Sequence, residues 1–292
     1  MPALPLPATD EIKLSDWLEV YALVSPGGNS SFGDLERALG RAGVLESSDR
    51  GAMERKLADV SYEMQSRQRS ASHGYPFAIR GGLVTLRGAR EDFAAYVFCL
   101  CLSFLRVWQR RGSQVFPRRM FEELSCVAAR NYLGGEGVKF GAPRAGLPRQ
   151  FKFAINTLCT LMGEGEQCRV GRVFSAKDDT LDVVAWKHFP DRLAGKLVLF
   201  GQCASGADWE SKMSELQPES FCQNWLYEQP PSRPIRAFFI PHRIRPDRWN
   251  SFTRKAGIVF DRCRLAYWSQ GFPGLARREF VRWANSVLRD VR

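Results

Sequence analysis

The stretch KDDTLDVVAWKHFPDRLAGKLVLFGQCASGADWESK, residues 177–212, decides the reading of this chain. Two apolar runs within it, LDVVAW and KLVLFG, are short, rich in β-branched and aromatic residues, and separated by the breaker-containing PDRLAG. Such runs read as adjacent buried strands. Each is tipped by a polar group: Asp182 precedes the first run's valines and Gln202 ends the second. Oxygen-bearing side chains at the ends of two paired strands suit a hydrolytic metal site. Hard cations take oxygen ligands, and Mg²⁺ keeps waters that can become nucleophiles.

Toward the C-terminus, a helix is expected near 209–216. IRAFFIPHRI and AGIVFDRCRLAYW follow as strands, and an amphipathic helix over 274–291 closes the chain. Toward the N-terminus come a strand over 169–174, a helix over 151–162 and a helix over 117–133 that stops at Gly134-Gly135. Helices alternating with strands predict an α/β fold, a three-layer core with a mixed central sheet flanked by helices.

The first third is different. Helical periodicity runs over 14–25, 32–43 and 49–69. Two short strands then flank Gly81-Gly82, a hairpin signal. Three helices and a hairpin are the element order of a winged helix, and equally of a small helical scaffold. As a winged helix, the third helix presents Arg67 to a groove and the wing carries Arg80 and Arg87. Residues 93–107 are apolar nearly all round and read as a buried connecting helix. The basic RRGSQVFPRR follows, placing a boundary near residue 113. The expected domains are a mainly helical, winged-helix-like unit over 1–112 and an α/β unit over 113–292.

The formal net charge is +11, and 14 Lys/Arg against 4 Asp/Glu lie between Ser232 and Arg292. A basic surplus draws polyanions, since each phosphate contact releases counterions; anionic membranes would attract it too. Arg243, Arg245, Arg248, Arg254 and Lys255 alternate there with Trp249, Phe252, Tyr267, Trp268 and Trp283. That pattern serves phosphate contacts and base stacking, or a core behind a solvated surface. No apolar run is long enough for a membrane span and no secretory leader is legible, so a cytoplasmic protein with reduced thiols is expected. Eight scattered cysteines and three histidines leave little for a zinc site or a His-based triad, and no phosphate-binding glycine loop or GxSxG elbow occurs.

The pair DDTLD and LFGQCA, together with FEELSCVAARNYLGG from Phe121, resembles the PD-(D/E)XK, restriction-endonuclease-like nucleases, and within them the Mrr-like restriction enzymes. The likeness spans roughly residues 115–260 and rests on short motifs. It implies a restriction-endonuclease-like core with Asp182 as the central metal ligand, Gln202 in place of the second-strand acid, and Glu122, or its neighbour Glu123, as the helix carboxylate. Mg (or Mn) is the implied cofactor. The family's lysine, two residues past the glutamine, is here Ala204. Lys212, one turn into the next helix, and Lys187, five residues past Asp182, are the substitutes, with Lys212 preferred because Lys187 has the wrong strand parity.

Other polar residues have plainer readings. Asp178 and Asp179 suit a turn, Glu164 and Glu166 a solvated bend, and His188 and His242 packed strand-end histidines. Asp261 and Arg262 suit an ion pair, and Cys203 burial opposite Gln202. The function expected is metal-dependent endonucleolytic cleavage, of DNA rather than RNA, with restriction or anti-phage defence implied by the resemblance alone. A homodimer, or a partner protein of a defence system, belongs to that expectation. The alternatives are a catalytically degenerate nuclease-fold subunit that binds DNA or assists assembly, and an RNA-cleaving nuclease.

Overall fold

The computed structural model describes residues 6, 10–44, 50–105, 115–144, 146–169 and 179–290. The expected strand at 169–174 and Asp178 lie outside these, apart from Arg169, as do residues 110–114 of the expected linker, whose second half instead opens a helix.

Helix α1 (Glu11–Val24) starts where Asp10 accepts a hydrogen bond from the Lys13 amide. A short strand β1 (Asn29–Ser31), not expected from the sequence, leads into α2 (Phe32–Arg41), whose capping box joins Ser31 and Asp34. Then come α3 (Arg50–Ala71), β2 (Phe77–Arg80), β3 (Leu83–Leu86) and α4 (Ala94–Phe104). Gly81 and Gly82 both have positive φ, 56° and 78°, as a two-residue hairpin turn requires. The three strands form an antiparallel sheet in the order β1-β3-β2. Helix α4 is buried along its whole length, as its composition predicts.

The second part comprises α5 (Val115–Leu133), β4 (Glu136–Lys139), α6 (Phe151–Met162), β5 (Val183–Lys187), β6 (Leu197–Cys203) and α7 (Pro218–Trp225). After these come β7 (Ile235–Phe239), α8 (Trp249–Ala256), β8 (Ile258–Phe260), α9 (Arg262–Trp268) and α10 (Gly274–Arg289). The expected 209–216 helix is a single 3₁₀ turn, Trp209–Lys212, with α7 starting later behind Pro218. The stretch AGIVFDRCRLAYW is not one strand. It breaks at Asp261, whose carboxylate accepts from the Arg264 amide and starts α9.

The five strands run β4-β5-β6-β7-β8; the first three are antiparallel and the last three parallel. Alternation divides the sheet's faces. Val183, Ala185, Leu199, Ala237 and Phe239 pack on α5 through Phe121, Leu124 and Ala128. Val184, Trp186, Val198 and Phe200 pack on α6 and α7 through Ile155, Leu158 and Phe221. The fold is thus α/β with a mixed sheet between helices. Gly201 must be glycine, because a Cβ there would sit 2.4 Å from the Phe239 ring.

The parts on either side of residue 113 share a core. Cys263, Ala266, Ala284 and Leu288 pack with Leu14, Leu18, Val60 and Tyr96. At its centre lies a buried ionic network. Arg67 donates to Asp16 (2.7 Å), Glu19 (3.0 Å) and Glu63 (2.7 Å), and Arg262 donates to the same Asp16 oxygen (2.8 Å). Arg243 bridges Glu63 (3.2 Å) and Asp261 (2.7 Å). Tyr75 and Tyr96 hydroxyls donate to Glu19.

Removing one member strands the others without water, which costs about 3–5 kcal/mol. Urea denaturation of Arg67→Ala is expected to show that loss, whereas Arg69→Ala, an exposed position two residues on, stays within about 0.5 kcal/mol of the parent.

Candidate active site

The site is assembled at the end of the sheet where β4 runs out, β5 begins and β6 ends. Asp182 stands one residue before β5. Its amide donates to the Gly201 carbonyl (2.9 Å), and its own carbonyl accepts from Phe140 (2.7 Å) and Gly141 (3.0 Å). Its Oδ2 accepts the Cys203 amide at 2.7 Å, which draws the carboxylate over the end of β6. Glu122 reaches the same place from α5. A Cβ on Gly141 would lie 2.8 Å from Asp182 Oδ1 and 3.1 Å from Glu122 Oε2, so the two carboxylates converge on one bare backbone position.

Lys139 completes the group. It pairs with Val183 across β4 and β5, so it shares that residue's α5-facing side. Its buried ammonium donates to Glu122 Oε2 (3.1 Å) and to the Pro143 carbonyl (2.9 Å). The carboxylates open into a cleft of about 520 Å³, lined also by Arg118, Arg119, Cys203, Ser205, Asp208 and Lys212. Burial raises the Cys203 thiol well above the ordinary range, and Asp182 and Glu122 add to the effect, which favours its protonated form.

The expected residues divide accordingly. Asp182 and Glu122 meet, and Lys212 lines the cleft with its ammonium 3.3 Å from Asp208. Gln202 does not join them. Register puts Cys203, not Gln202, on the α5-facing side; Gln202 turns the other way and donates to Glu215 at 2.7 Å. Lys187 lies at the far end of β5, within reach of Gly134 rather than Asp182. Glu123 is one position round the helix and pairs with Arg119 (3.0 Å). Lys139, Ser205 and Asp208 are new. The β-branched and apolar GVKF was the one local hint of a strand carrying Lys139.

The expected nucleic-acid contacts also divide. Arg67 and Arg243 are corrected outright: both are buried and spent on carboxylates. Arg80 and Arg87 are exposed on the hairpin and beside it, though Arg87 also donates to the Tyr75 carbonyl. Arg254 and Lys255 are exposed on α8. Arg245 pairs with Asp247 and Glu11, and Arg248 with Glu210. The interleaved aromatics are no stacking platform. Phe252 is buried, Trp268 and Trp283 pack against the core, Trp249 is covered by Arg264, and Tyr267 stands edge-on to Trp268.

The lesser candidates change too. Glu164 is not solvated; it is buried against Lys196 at 3.0 Å. Asp261 pairs with Arg243 rather than Arg262. Asp179 accepts from the Trp225 indole, and His188 accepts from Trp186. His242 stacks on Trp209 and meets the Gly206 carbonyl at 3.2 Å. Burial, helped by nearby Lys13, lowers its pKa to about 4.

Among the described residues no three His, Cys, Asp or Glu side chains form a ready-made metal cluster. The donors present instead fit a Mg²⁺-type ion held by two carboxylates and otherwise by water, as that ion prefers. No known protein family, curated protein or solved structure matches this chain.

Two expected outcomes follow from this geometry. Gly141→Ala forces the carboxylates apart and should cost about 1–3 kcal/mol, whereas Gly40→Ala, with open space around it on α2, should stabilise by roughly 0.5–1 kcal/mol; urea midpoints check both. His242 is depressed on folding, so the unfolded chain binds the extra proton. Its contribution is full above about pH 6.5 and is lost as pH falls toward 4, on the order of 3 kcal/mol. His242→Gln should flatten that acid limb in urea titrations at pH 4.5 and 7.5.

Proposed function

We propose that this chain is a metal-dependent nuclease of the restriction-endonuclease-like type, acting on DNA. The observation that carries the reading is the meeting of Asp182 and Glu122, from a strand start and a flanking helix, in a cleft rimmed by Arg118, Arg119 and Lys212. The element order supports it: helix α5, strand β4, helix α6, strands β5 and β6, then helix α7 and the parallel strand β7, with the carboxylates gathered at one end of β5 and β6. So does the first part, where helix, strand, two helices and a two-stranded wing follow the order of a winged helix.

A divalent ion between Asp182 and Glu122 would supply Lewis acidity and a more acidic water. The chain's own groups do the rest. The Cys203 amide fixes Asp182 through Oδ2 and sets the orientation of its carboxylate. Lys139 holds Glu122 by one oxygen and keeps positive charge behind the site. Lys212 and the two arginines stand where a phosphodiester would enter, and their charge favours the extra negative charge that develops at phosphorus.

One observation favours a second reading, a degenerate module that binds without cutting. The β6-side residues lining the cleft, Cys203 and Ser205, supply neither a carboxylate nor an amine. The two readings part in one experiment: supercoiled plasmid, linear DNA and RNA incubated with purified protein in Mg²⁺, Mn²⁺ or EDTA. The nuclease reading expects metal-dependent DNA cutting, reduced at least ~100-fold in Asp182→Ala and Glu122→Gln with DNA binding retained. Comparing Lys139→Met with Lys212→Ala then identifies the working lysine. Binding without cutting under every metal condition would sink the nuclease reading and leave the module.

A further inference from the structure

Behind the Trp209–Lys212 turn lies a second depression, of about 400 Å³, between α1 and the segment that follows β7. Lys13, Arg243, Arg245 and Arg248 line it, against the carboxylates of Asp10, Asp16 and Glu210. Those carboxylates are not equivalent to free acid. Asp16 already receives Arg67 and Arg262 from beneath, and Asp10 is engaged in capping α1. Arg243 is likewise spent inward on Glu63 and Asp261. What faces the opening is therefore Lys13 with Arg245 and Arg248, and with Glu210 as the partner of Arg248. Arg245 pairs with the part-exposed Glu11 and with Asp247, and Arg248 pairs with the exposed Glu210 while its guanidinium lies over the Phe252 ring. Exposed pairs of this kind are worth little and exchange readily for a better anion.

We infer that this depression is a binding site for a small phosphate-bearing anion, clamped by Lys13, Arg245 and Arg248. Arginine forks match phosphate oxygens bidentately, and the volume lies within the range of small-ligand pockets. The site is joined to the candidate active site by the turn they share. Trp209 and Glu210 line the depression, whereas Asp208 and Lys212 line the cleft. His242 ties the two by stacking on Trp209 while contacting the Gly206 carbonyl. An anion that takes Arg248 from Glu210 thus acts on the turn that carries Lys212. The binding claim itself does not depend on the nuclease reading.

The test is thermal denaturation in EDTA with inorganic pyrophosphate, and separately with a short single-stranded oligonucleotide. The parent and Asp182→Ala should both rise in Tm by roughly 2–4 °C with millimolar pyrophosphate. The shift should vanish in Arg245→Ala/Arg248→Ala and weaken in Lys13→Ala, yet persist in Arg254→Ala/Lys255→Ala, which removes equal charge outside the depression. Arg248→Lys should recover part of it. Three results would each overturn the site: no shift in the parent, equal loss in the Arg254/Lys255 control, or a response to the oligonucleotide alone, which would make the arginines part of a strand track. Loss of DNA cutting in Asp182→Ala with the pyrophosphate shift intact separates this site from the metal site.

Discussion

Arg67 and Arg262 carry full charge where water is excluded, and the arrangement of both halves of the chain depends on keeping them paired. A guanidinium in that environment is tolerable only if several carboxylates and hydrogen bonds surround it. Asp16 and Glu19 come from α1, Glu63 from α3, and Asp261 from the turn before α9. Burial acts to raise the Asp16 pKa, but Arg262 and then Arg67 outweigh it and hold the carboxyl below its ordinary range. Glu19 goes the other way, with burial dominant, and is held by two tyrosine hydroxyls as well as Arg67. Three guanidinium groups and four carboxylates thus lock α1, α3 and α9 into one geometry that no apolar packing alone would specify. That lock also sets where α1 stands against the 208–212 turn.

The candidate site obeys a different constraint, the two-residue period of a strand. Pairing Lys139 with Val183, and Val183 with Gly201, forces Lys139, Val183 and Cys203 to one face and Gln202 to the other. Asp182 escapes the alternation because it stands outside the strand, where the Cys203 amide captures its carboxylate. Glu122 needs no register; α5 lies over that face and delivers it. Absence of a side chain at Gly141 is what lets both carboxylates occupy the same neighbourhood.

Legibility followed the range of each constraint. Strands β5 and β6, helices α4, α5 and α6, and the Gly81-Gly82 hairpin depend on local composition and were readable. The two carboxylates that the motif resemblance singled out, Asp182 and Glu122, lie close together in the structure. What failed needed partners far along the chain. Arg67 looks like an outer-face cation until Asp16 and Arg262 are known to surround its helix face. Gln202 looks like a ligand because adjacency in sequence to a strand end does not say which face is occupied. Strand β4, four residues long with a glycine inside it, is too short to have a period, so Lys139 stayed hidden. The interleaved tryptophans and arginines near the C-terminus carry the same pattern whether they stack on bases or close a core, and here the aromatic rings close the core.

The resulting chemistry is asymmetric. The α5 and β5 side of the cleft is rich in oxygen ligands, while the β6 side offers a neutral thiol and a hydroxyl. No lysine lies on β6. Instead the cationic groups come from β4, as Lys139 behind the carboxylates, and from the 3₁₀ turn, as Lys212 in front of them. Lys139 is buried and doubly hydrogen-bonded, so it is suited to hold Glu122 in place. Lys212 is part-exposed and bound to Asp208 by a pair that solvent weakens, so its ammonium is the more readily displaced of the two. On the proposed nuclease reading, that difference gives Lys139 the positioning role and Lys212 the charge-stabilising one, and the 208–212 turn, which carries Lys212, becomes the element that sets where that charge stands.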